Sequence, residues 1–363
     1  MRVAIVDPAS WSLAYDVPLA EALARAGCEV TLHSAKSPHV GLPTTDTERL
    51  TIEESFYAGR LPLPRRLARM LQHPIDMWLL ARRLKDEADI VHVQWIPGRS
   101  FDARVWAKLA RTTGVKVTFT AHNAQERSNA LVTEQLAGFT AVIAHSDGGA
   151  LALKRRGLKH VWRLMIGAYD QYATSPDPDR SPVDLPADAP VALFAGLLRT
   201  YKGVDVLLDA WPRVVERVPN AQLVIAGRPV DVELPGTLPA GVTVIPRFTS
   251  EEELGWLLRR ADVVALPYRE IDMSGIAVSA LACGTPLVAS DIGGLGEYAG
   301  RGASLVPPED PAALADALIA VLGDRELQQR LAAEATAAVR EHYTWSTIAE
   351  YYRDHYAELG LRW

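Results

Sequence analysis

Short apolar runs alternate with helical patterns twice along this chain, once in each half of its 363 residues. Strands that alternate with helices favour parallel βαβ units. The predicted strands of the first half are residues 3–6, 29–33, 89–94, 116–120 and 141–144. Those of the second half are residues 191–194, 222–226, 242–245, 263–266 and 286–289. With predicted helices such as 17–26 and 204–217, the pattern indicates an α/β protein of two doubly wound domains.

A stretch rich in proline and aspartate, residues 175–190, separates the halves and suits a semi-rigid surface linker. We therefore predict a first domain over residues 1–170, a linker over 171–188 and a second domain over 189–342. Residues 343–363 carry several aromatic side chains, and we expect them to form a helix that docks back on the first domain. Because ligands bind outside the carboxyl ends of parallel strands, we expect a central crevice that both domains face.

Composition excludes several classes of protein. The net charge is -6 and charges of both signs are interspersed, so we expect no nucleic-acid partner. Two cysteines, Cys28 and Cys283, lie in different halves, which favours a reducing compartment over a disulfide framework. Neither a signal-peptide pattern nor an apolar run of about 18 residues is found, so we expect a cytoplasmic protein without a membrane span.

Lys202 is the only lysine between residues 160 and 363, in a half of the chain that otherwise uses arginine. It follows a predicted strand and the glycine turn at Gly196, lies three residues after Arg199, and precedes Gly203 at the start of a helix. Two cations beside helix amides are typical of a phosphate site. The alternative is a solvated turn whose charges bind nothing.

A second anion site is predicted where Ser274 and Gly275 open a helix of small residues. The preceding strand ends at Pro267, so the bare amides of this helix would lie at the carboxyl edge of the sheet. This site would suit the other end of a diphosphate. The alternative is that Ser274 only caps the helix and that the alanines allow close helix–sheet packing.

These two stretches, together with Ala210, Gly227 and the turn at residues 246–248, resemble the donor domain of glycosyltransferase family 4. The resemblance covers residues 190–310 strongly and the first domain more weakly. It implies the GT-B fold of two Rossmann-like domains and a retaining transfer of sugar from a nucleotide diphosphate sugar to an acceptor hydroxyl. No cofactor is implied, and the His, Asp and Glu residues lack metal-ligand spacing, so we expect no metal.

The resemblance also implies roles for particular residues. Arg199 and Lys202 would hold the donor diphosphate and offset charge on the leaving group. The backbone around Arg247 and Phe248 would receive the base. The amides of residues 274–276, from Ser274 to Ile276, would meet phosphate or sugar.

One departure from the family pattern concerns two glutamates, which would fall on Ile271 and Ser279. Glu270 and Asp272 flank the first position and are candidates for the carboxylate that contacts the sugar. For the second position Ser279 offers only a hydroxyl, so ribose binding would pass partly to Glu297. Loss of activity, as in a silent nucleotide-binding subunit, therefore stays open, and so does a sugar-nucleotide epimerase.

In the first domain, His122 ends a predicted strand just before Asn123, where its side chain would look into the crevice. The resemblance places His122 beside the donor sugar. Tyr15 and Asp16 open the first helix and are candidates for acceptor contacts, although Asp16 could equally be an N-cap. A nicotinamide-dependent enzyme is disfavoured, because no Gly-x-Gly-x-x-Gly turn follows the first strand.

Residues Arg60 to Lys85 combine basic and large apolar side chains, with Asp76 as their one acid. Helices of this composition can lie on an anionic membrane surface. A peripheral membrane contact and a lipid-linked acceptor are therefore expected if the basic face is real. The alternative is an ordinary surface helix with solvated arginines.

Overall fold

The computed structural model describes residues 1–36, 41–58, 65–122 and 133–362. The chain divides into two compact units, one of Met1–Gly167 with Trp345–Trp363 and one of Ala168–Thr344. Each unit is built on a parallel sheet, so the prediction of two doubly wound α/β domains is confirmed.

The first unit alternates strands and helices along the chain. Its elements are β1 (Arg2–Asp7), α1 (Leu13–Arg25), β2 (Glu29–Ala35), β3 (Leu50–Phe56), α2 (Arg65–Glu87), β4 (Ile90–Val93), α3 (Ser100–Thr112), β5 (Lys116–Thr120), α4 (Thr133–Leu136), β6 (Ala141–Ala144), α5 (Asp147–Arg155) and β7 (Val161–Arg163). The strands pair in the order β3-β2-β1-β4-β5-β6-β7, and every pair is parallel. The order reverses between β1 and β4, where a doubly wound sheet opens a crevice at its carboxyl edge.

The second unit repeats this plan with six parallel strands. Its elements are α6 (Gln171–Thr174), β8 (Val191–Ala195), α7 (Val204–Arg217), β9 (Gln222–Ala226), β10 (Val242–Ile245), α8 (Glu251–Arg260), β11 (Val263–Leu266), α9 (Gly275–Ala282), β12 (Leu287–Ser290), β13 (Ala303–Val306), α10 (Pro311–Gly323) and α11 (Arg325–Ala338). The strand order is β10-β9-β8-β11-β12-β13, so the reversal lies between β8 and β11. All four residues of β11 and of β12 are buried, as expected of central parallel strands with helices on both faces.

Three strands are absent from the sequence prediction, namely β3, β7 and β13. All three lie at the edges of their sheets. β3 alternates exposed and half-buried residues, and β7 is only three residues long. An edge strand is less buried than a central one, so its apolar signal is weak.

The segment predicted as a linker comprises residues 171–188. It lies within the second unit, where α6 contacts α8. Arg259 of α8 ties the segment down, since its guanidinium donates to Ser175 Oγ at 3.0 Å and pairs with Asp177 at 2.6 Å.

The C-terminal helix α12 (Trp345–Glu358) belongs to the first unit. It packs on α1, and the hydroxyls of Tyr352 and Tyr15 hydrogen-bond at 3.0 Å. A Cβ at Gly167 would lie 2.6 Å from the Trp345 ring, so the absence of a side chain there allows the close contact.

Candidate active site

The carboxyl end of β8 carries the predicted phosphate site of the second unit. Gly196 follows the strand with φ +104°, and a Cβ on it would lie 2.8 Å from Lys202 Nζ and 3.6 Å from Ile276 Cγ1. Glycine therefore leaves room for the ammonium and for the first turn of α9. The structure thus brings together Gly196, Lys202 and Ile276, which the sequence analysis assigned to donor binding.

Lys202 lies in a single 3₁₀ turn, residues 200–202, and is half-buried. Burial is the main cause that lowers the pKa of its ammonium, and Arg199 lowers it further. Its Nζ lies 5.4 Å from the centre of the Tyr268 ring. Lys202 forms no ion pair with any carboxylate in the described part of the chain. An ammonium held against an aromatic ring without a counter-ion favours an anionic ligand.

Arg199 lies at the N-terminal side of the same turn. Its Nη1 is 3.7 Å from Asp231 Oδ2, and both side chains are largely exposed to solvent. Asp231 also accepts from the Thr200 amide at 2.8 Å. The long, solvated ion pair leaves the guanidinium able to turn towards a ligand at little cost.

Arg269 fixes the Lys202 turn from the other side, a role that the sequence analysis missed. Its guanidinium binds both carboxylate oxygens of Asp205, at 2.9 and 2.7 Å, and donates to the Thr200 carbonyl at 2.8 Å. Its backbone amide donates to the Tyr201 carbonyl at 2.7 Å. A bidentate arginine between α7 and this turn gives the lysine a defined position.

Ser274 caps α9, and its Oγ accepts from the Ala277 amide at 3.3 Å. The capping alternative for Ser274 is therefore present in the structure. Gly275 is next, and a Cβ there would lie 3.0 Å from the Tyr169 ring. Because the helix has no acid in its first turn, its amides retain their partial positive charge beside Lys202.

The carboxylate candidates differ in their environments. Glu270 is exposed, whereas Asp272 is 3% exposed and its carbonyl accepts from the Gly294 amide at 2.9 Å. Glu297 is half-buried on a short 3₁₀ helix that follows β12. Ser279 is 1% exposed, and its hydroxyl donates to the Gly275 carbonyl of its own helix at 2.7 Å. In this arrangement the Ser279 hydroxyl donates its hydrogen within α9.

The turn that follows β10 contains Arg247 and Phe248. The Arg247 guanidinium binds both oxygens of Glu253, at 2.7 and 2.6 Å, and this pairing is the main cause that lowers the pKa of Glu253. Glu253 also completes a capping box with Ser250 at the start of α8. The turn is therefore pinned to a helix, while the Phe248 ring is 75% exposed.

In the first unit, His122 lies just past β5 and stacks on Trp95, with ring centres 4.8 Å apart. Its Nε2 donates to Gln94 Oε1 at 3.1 Å. Burial lowers the pKa of His122 well below its usual value, and His145 lowers it further, so the ring is neutral. Gln94 and Trp95 directly follow β4 and were not singled out from the sequence. Asn123 lies outside the described residues.

Tyr15 and Asp16 are both buried. The N-cap of α1 is Ser12, so the alternative that Asp16 is an N-cap is wrong; the helix begins at Leu13, four residues before the predicted start. The Ser12 hydroxyl donates to Asp16 Oδ2 at 2.9 Å and accepts from Trp95 Nε1 at 2.9 Å. Burial, followed by the neighbouring Asp7 carboxylate, raises the pKa of Asp16 well above its usual value.

Neither a metal centre nor a membrane span is found in the described ranges. No group of three His, Cys, Asp or Glu side chains is arranged to hold a metal ion there. No helix in the same ranges is long and apolar enough to cross a bilayer.

Comparison with known proteins identifies the family of this chain. Residues 189–324 match the family model described as glycosyl transferases group 1, and residues 17–164 match the model for glycosyltransferase family 4. A phosphatidyl-myo-inositol mannosyltransferase from Mycobacterium leprae is 30% identical over 378 residues, which cover 96% of this chain and 94% of the relative. The chain belongs to glycosyltransferase family 4.

A D-inositol 3-phosphate glycosyltransferase from Xylanimonas cellulosilytica is also similar to this family 4 chain, at 29% identity over 96% of the chain and 91% of the relative. Among solved structures, a sucrose-phosphate synthase from Thermosynechococcus elongatus superposes with a TM-score of 0.74 at 20% identity and covers 99% of both chains. The Anabaena protein HepE, solved with UDP and glucose, superposes with a TM-score of 0.71 at 15% identity, covering 99% of this chain and all of HepE. The fold is GT-B, and the protein is a glycosyltransferase, as predicted.

Proposed function

We propose that this glycosyltransferase moves a sugar from a nucleoside diphosphate sugar to an acceptor hydroxyl with retention of anomeric configuration. The observation that carries the proposal is the Lys202 ammonium, which lacks a carboxylate partner among the described residues and lies beside Gly196 and the first turn of α9. A diphosphate would supply the missing negative charge. Retention rests on family membership.

In the proposed reaction the bond between the anomeric carbon and the diphosphate oxygen breaks, and a bond forms between that carbon and the acceptor oxygen. The nucleoside diphosphate leaves, and its oxygen takes up the proton that the acceptor hydroxyl loses. Lys202, Arg199 and the amides of α9 would offset the charge that develops on the leaving diphosphate. We propose that these groups do so without a metal or cofactor.

We assign the sugar-contacting carboxylate to Asp272 rather than Glu270. Asp272 is buried just before Ser274, the cap of α9, whereas Glu270 is exposed. A carboxylate in a low-dielectric position interacts more strongly with developing positive charge than one in water. Since the Ser279 hydroxyl hydrogen is used within its helix, we propose that Glu297 contacts the donor ribose. The base would lie on the backbone of residues 247 and 248.

For the acceptor we propose a polyol that is carried on a lipid and supplies the accepting hydroxyl. The first unit would bind it near His122, Tyr15 and Asp16. Relatives named phosphatidyl-myo-inositol mannosyltransferase and D-inositol 3-phosphate glycosyltransferase support a polyol, and the first name supports a lipid. The enzyme would then work in the cytoplasm, in peripheral contact with a membrane through the stretch from Arg60 to Lys85. Residues 60–64 of that stretch lie outside the described residues.

The test is thermal unfolding with UDP, GDP, ADP, dTDP and CMP, on the wild type and Lys202→Ala. A ligand at about a hundred times its dissociation constant should add roughly 2.7 kcal/mol to the free energy of unfolding. We expect one diphosphate to stabilise the wild type and to lose that effect in the variant. The sugar nucleotides of that base are then assayed for transfer to inositol-containing acceptors.

Arg330→Ala is the matched control, because Arg330 is exposed on α11 and its one ion pair among the described residues is a long one, 4.0 Å to Glu334. Stabilisation that survives in Lys202→Ala would contradict the assigned diphosphate site. Stabilisation without any transfer or donor hydrolysis would instead favour a silent nucleotide-binding subunit. Release of a converted sugar together with free nucleotide would favour an epimerase.

A further inference from the structure

Helix α2 has two apolar faces, and only one of them is covered. Its inner side chains, including Met77, Leu80 and Leu84, are buried in the core of the first unit. Its outer face carries six strongly exposed large apolar side chains: Leu67, Met70, Leu71, Ile75, Trp78 and Leu79. Their spacing of three, four and eight residues puts them on one side of the helix. The described residues contain twelve exposed large apolar side chains, and half of them are on this helix, so exposed apolar surface is concentrated on α2.

Helix α3 adds a row of cations beside α2. Its inner side chains Ala103, Trp106 and Leu109 lie in the same core, while Arg104, Lys108 and Arg111 are exposed at helical spacing. None of these three cations forms an ion pair with a carboxylate in the described part of the chain. The one acid of α3, Asp102, is buried.

Both outer faces point to the same side of the sheet. The chain runs β3-α2-β4-α3-β5, and both crossovers move in the same direction across the strand order. Right-handed crossovers of this kind put their helices on one face of a sheet. Because the inner faces of α2 and α3 share one core, their outer faces are turned away from it together.

A buried hydrogen bond ties the two helices to each other. His73 of α2 donates from Nε2 to the Asp102 carboxylate of α3, at 2.9 and 3.0 Å from its two oxygens. Tyr57 binds the other ring nitrogen of His73 at 2.9 Å. The apolar row of α2 and the basic row of α3 are therefore held in a defined arrangement, which we name the α2–α3 surface.

The charged side chains near the apolar row of α2 also favour contact with an anionic, amphipathic surface. Arg82 is exposed and stands over the Trp78 ring at 5.5 Å, a pairing that suits the boundary between acyl chains and headgroups. Asp76, the acid in the middle of α2, accepts from the Tyr57 amide at 2.8 Å and is half-buried. The exposed acids Asp86 and Glu87 come only at the C-terminal end of the helix.

We propose that the α2–α3 surface binds the anionic interface of a lipid bilayer. Helix α2 would lie in the plane of the interface with its outer apolar side chains below the headgroups, and Arg104, Lys108 and Arg111 would meet lipid phosphates. The inference deepens the proposed function and rests on it for the lipid-linked acceptor. Vesicle binding itself needs neither donor nor acceptor, so it can fail or succeed independently of the transfer reaction.

The experiment is co-sedimentation of the full chain with vesicles of phosphatidylcholine alone or mixed equally with phosphatidylglycerol. We expect binding to the mixed vesicles only, weakened by salt because the attraction is partly electrostatic. The double variant Arg104→Gln/Lys108→Gln should lower the partition coefficient roughly thirtyfold, the loss expected for two basic residues near a charged surface. Trp78→Ser should lower it about tenfold through lost apolar burial.

Helix α5 supplies matched controls in the same unit. Leu151, Lys154 and Arg155 are exposed there, and neither cation pairs with a carboxylate in the described ranges. Leu151→Ser and Lys154→Gln/Arg155→Gln should bind vesicles as the wild type does. All variants are checked by thermal unfolding with the stabilising nucleotide, which reports the fold and the donor site separately from the membrane.

Three results would overturn the inference. Two of them are no vesicle binding by the wild type and equal loss of vesicle binding in the α5 and α2–α3 variants. The other is a dimer in sedimentation velocity that Trp78→Ser dissociates, with no vesicle binding, which would assign the surface to a second copy of the chain. If the vesicles bind but no nucleotide stabilises the protein, the docking surface stands and the proposed transfer does not.

Discussion

In the first unit, buried or half-buried polar and aromatic side chains lie at or just after the ends of β1, β4, β5 and β6, whereas in the second unit a glycine turn follows β8 and a capped helix follows β11. Asp7, His122 and His145 represent the first kind of edge, and Gly196 and Ser274 the second. Both units have the same parallel, doubly wound plan. The difference therefore arises from the residues just beyond the strands and not from the strands themselves.

This contrast shows how one architecture can serve two kinds of ligand. An edge of bare amides with one ammonium that has no carboxylate partner among the described residues presents positive charge without side-chain bulk, which suits phosphate. An edge of neutral histidine, glutamine and tryptophan presents hydrogen-bonding atoms and flat apolar surface, which suits hydroxyl-bearing ligands. The predictions below test the assignment of anion binding to the second unit and of neutral, buried polar groups to the first.

The largest effect is expected from Lys202→Ala. Removal of a positive group beside developing phosphate charge should cut kcat/KM by roughly two to four powers of ten, with little change in the unfolding temperature without ligand. Arg199→Ala tests the second cation in the same way. Steady-state transfer kinetics, with the sugar nucleotide that the thermal-unfolding test selects, measure both. Near-normal turnover in Lys202→Ala would remove the anion-binding role from the second unit.

Gly196→Ala should have the next largest effect. The added Cβ would lie 2.8 Å from Lys202 Nζ, at a φ of +104° that a side chain rarely adopts, so the lysine must move. A displacement of about 1 Å at a reacting centre can cost roughly a hundredfold in rate. Gly114→Ala is the control, because a Cβ there would meet nothing within 4 Å. Equal kinetics in the two variants would mean that Lys202 need not occupy its observed position.

How well the sequence predicted each feature depends on how far apart along the chain the interacting residues lie. Gly196, Arg199 and Lys202 lie within seven residues of one another, and the local pattern of strand, glycine and cation was enough to predict that Gly196 and Lys202 lie together. Central strands were also predictable because they are continuously apolar. The edge strands β3, β7 and β13 were not, since exposure weakens their pattern.

Contacts between distant residues escaped prediction. Arg269 holds the Lys202 turn through Asp205, 64 residues earlier, and His122 depends on Gln94, 28 residues earlier. Nothing within either local sequence reveals the partner. The basic row of α3 is visible as Arg104, Lys108 and Arg111 in the sequence, but its relation to α2 requires the strand order.

The buried histidines predict that stability depends on pH between about 6.5 and 4, and that this dependence is confined to the first unit. Burial is the main cause that lowers the pKa of His33 and His92 to about 3 and of His145 to about 4. The unfolded chain, with a histidine pKa of about 6.5, binds these protons more tightly, so the free energy of unfolding should fall as pH drops from about 6.5 towards 4. The slope is at most about 1.4 kcal/mol per pH unit for each histidine.

Hydrogen exchange read segment by segment on the full chain distinguishes the units. Protection in β2, β4 and β6 should decrease over this pH range, after correction for intrinsic exchange rates, while β8 and β11 should change little. A parallel decrease in both units would contradict the localisation of the effect.

The buried Asp16 carboxyl should change the free energy of unfolding with pH in the opposite direction to the histidines of the same unit. Its pKa is raised by burial and by Asp7, so folding takes up a proton. The free energy of unfolding should therefore fall as pH rises from about 3.9 to the folded value, by up to about 1.4 kcal/mol per pH unit. Asp16→Asn keeps the shape and cannot ionise, so this fall should disappear from denaturant titrations across pH. An unchanged profile in the variant would mean that Asp16 is ionised in the folded protein.

The smallest effect concerns the contact between α1 and α12 within the first unit. Tyr15 and Tyr352 share one hydrogen bond of 3.0 Å in a buried setting, and Tyr15 also packs edge-on against His122, with ring centres 5.7 Å apart. Tyr352→Phe should cost about 1 kcal/mol of unfolding free energy, the usual net value of one such bond. Tyr15→Phe also removes this bond, so the loss in the double variant should be smaller than the sum of the two single losses. Additive losses in this double-mutant cycle would show that each hydroxyl has a separate partner, and the polar edge of the first unit would then extend beyond the contacts described.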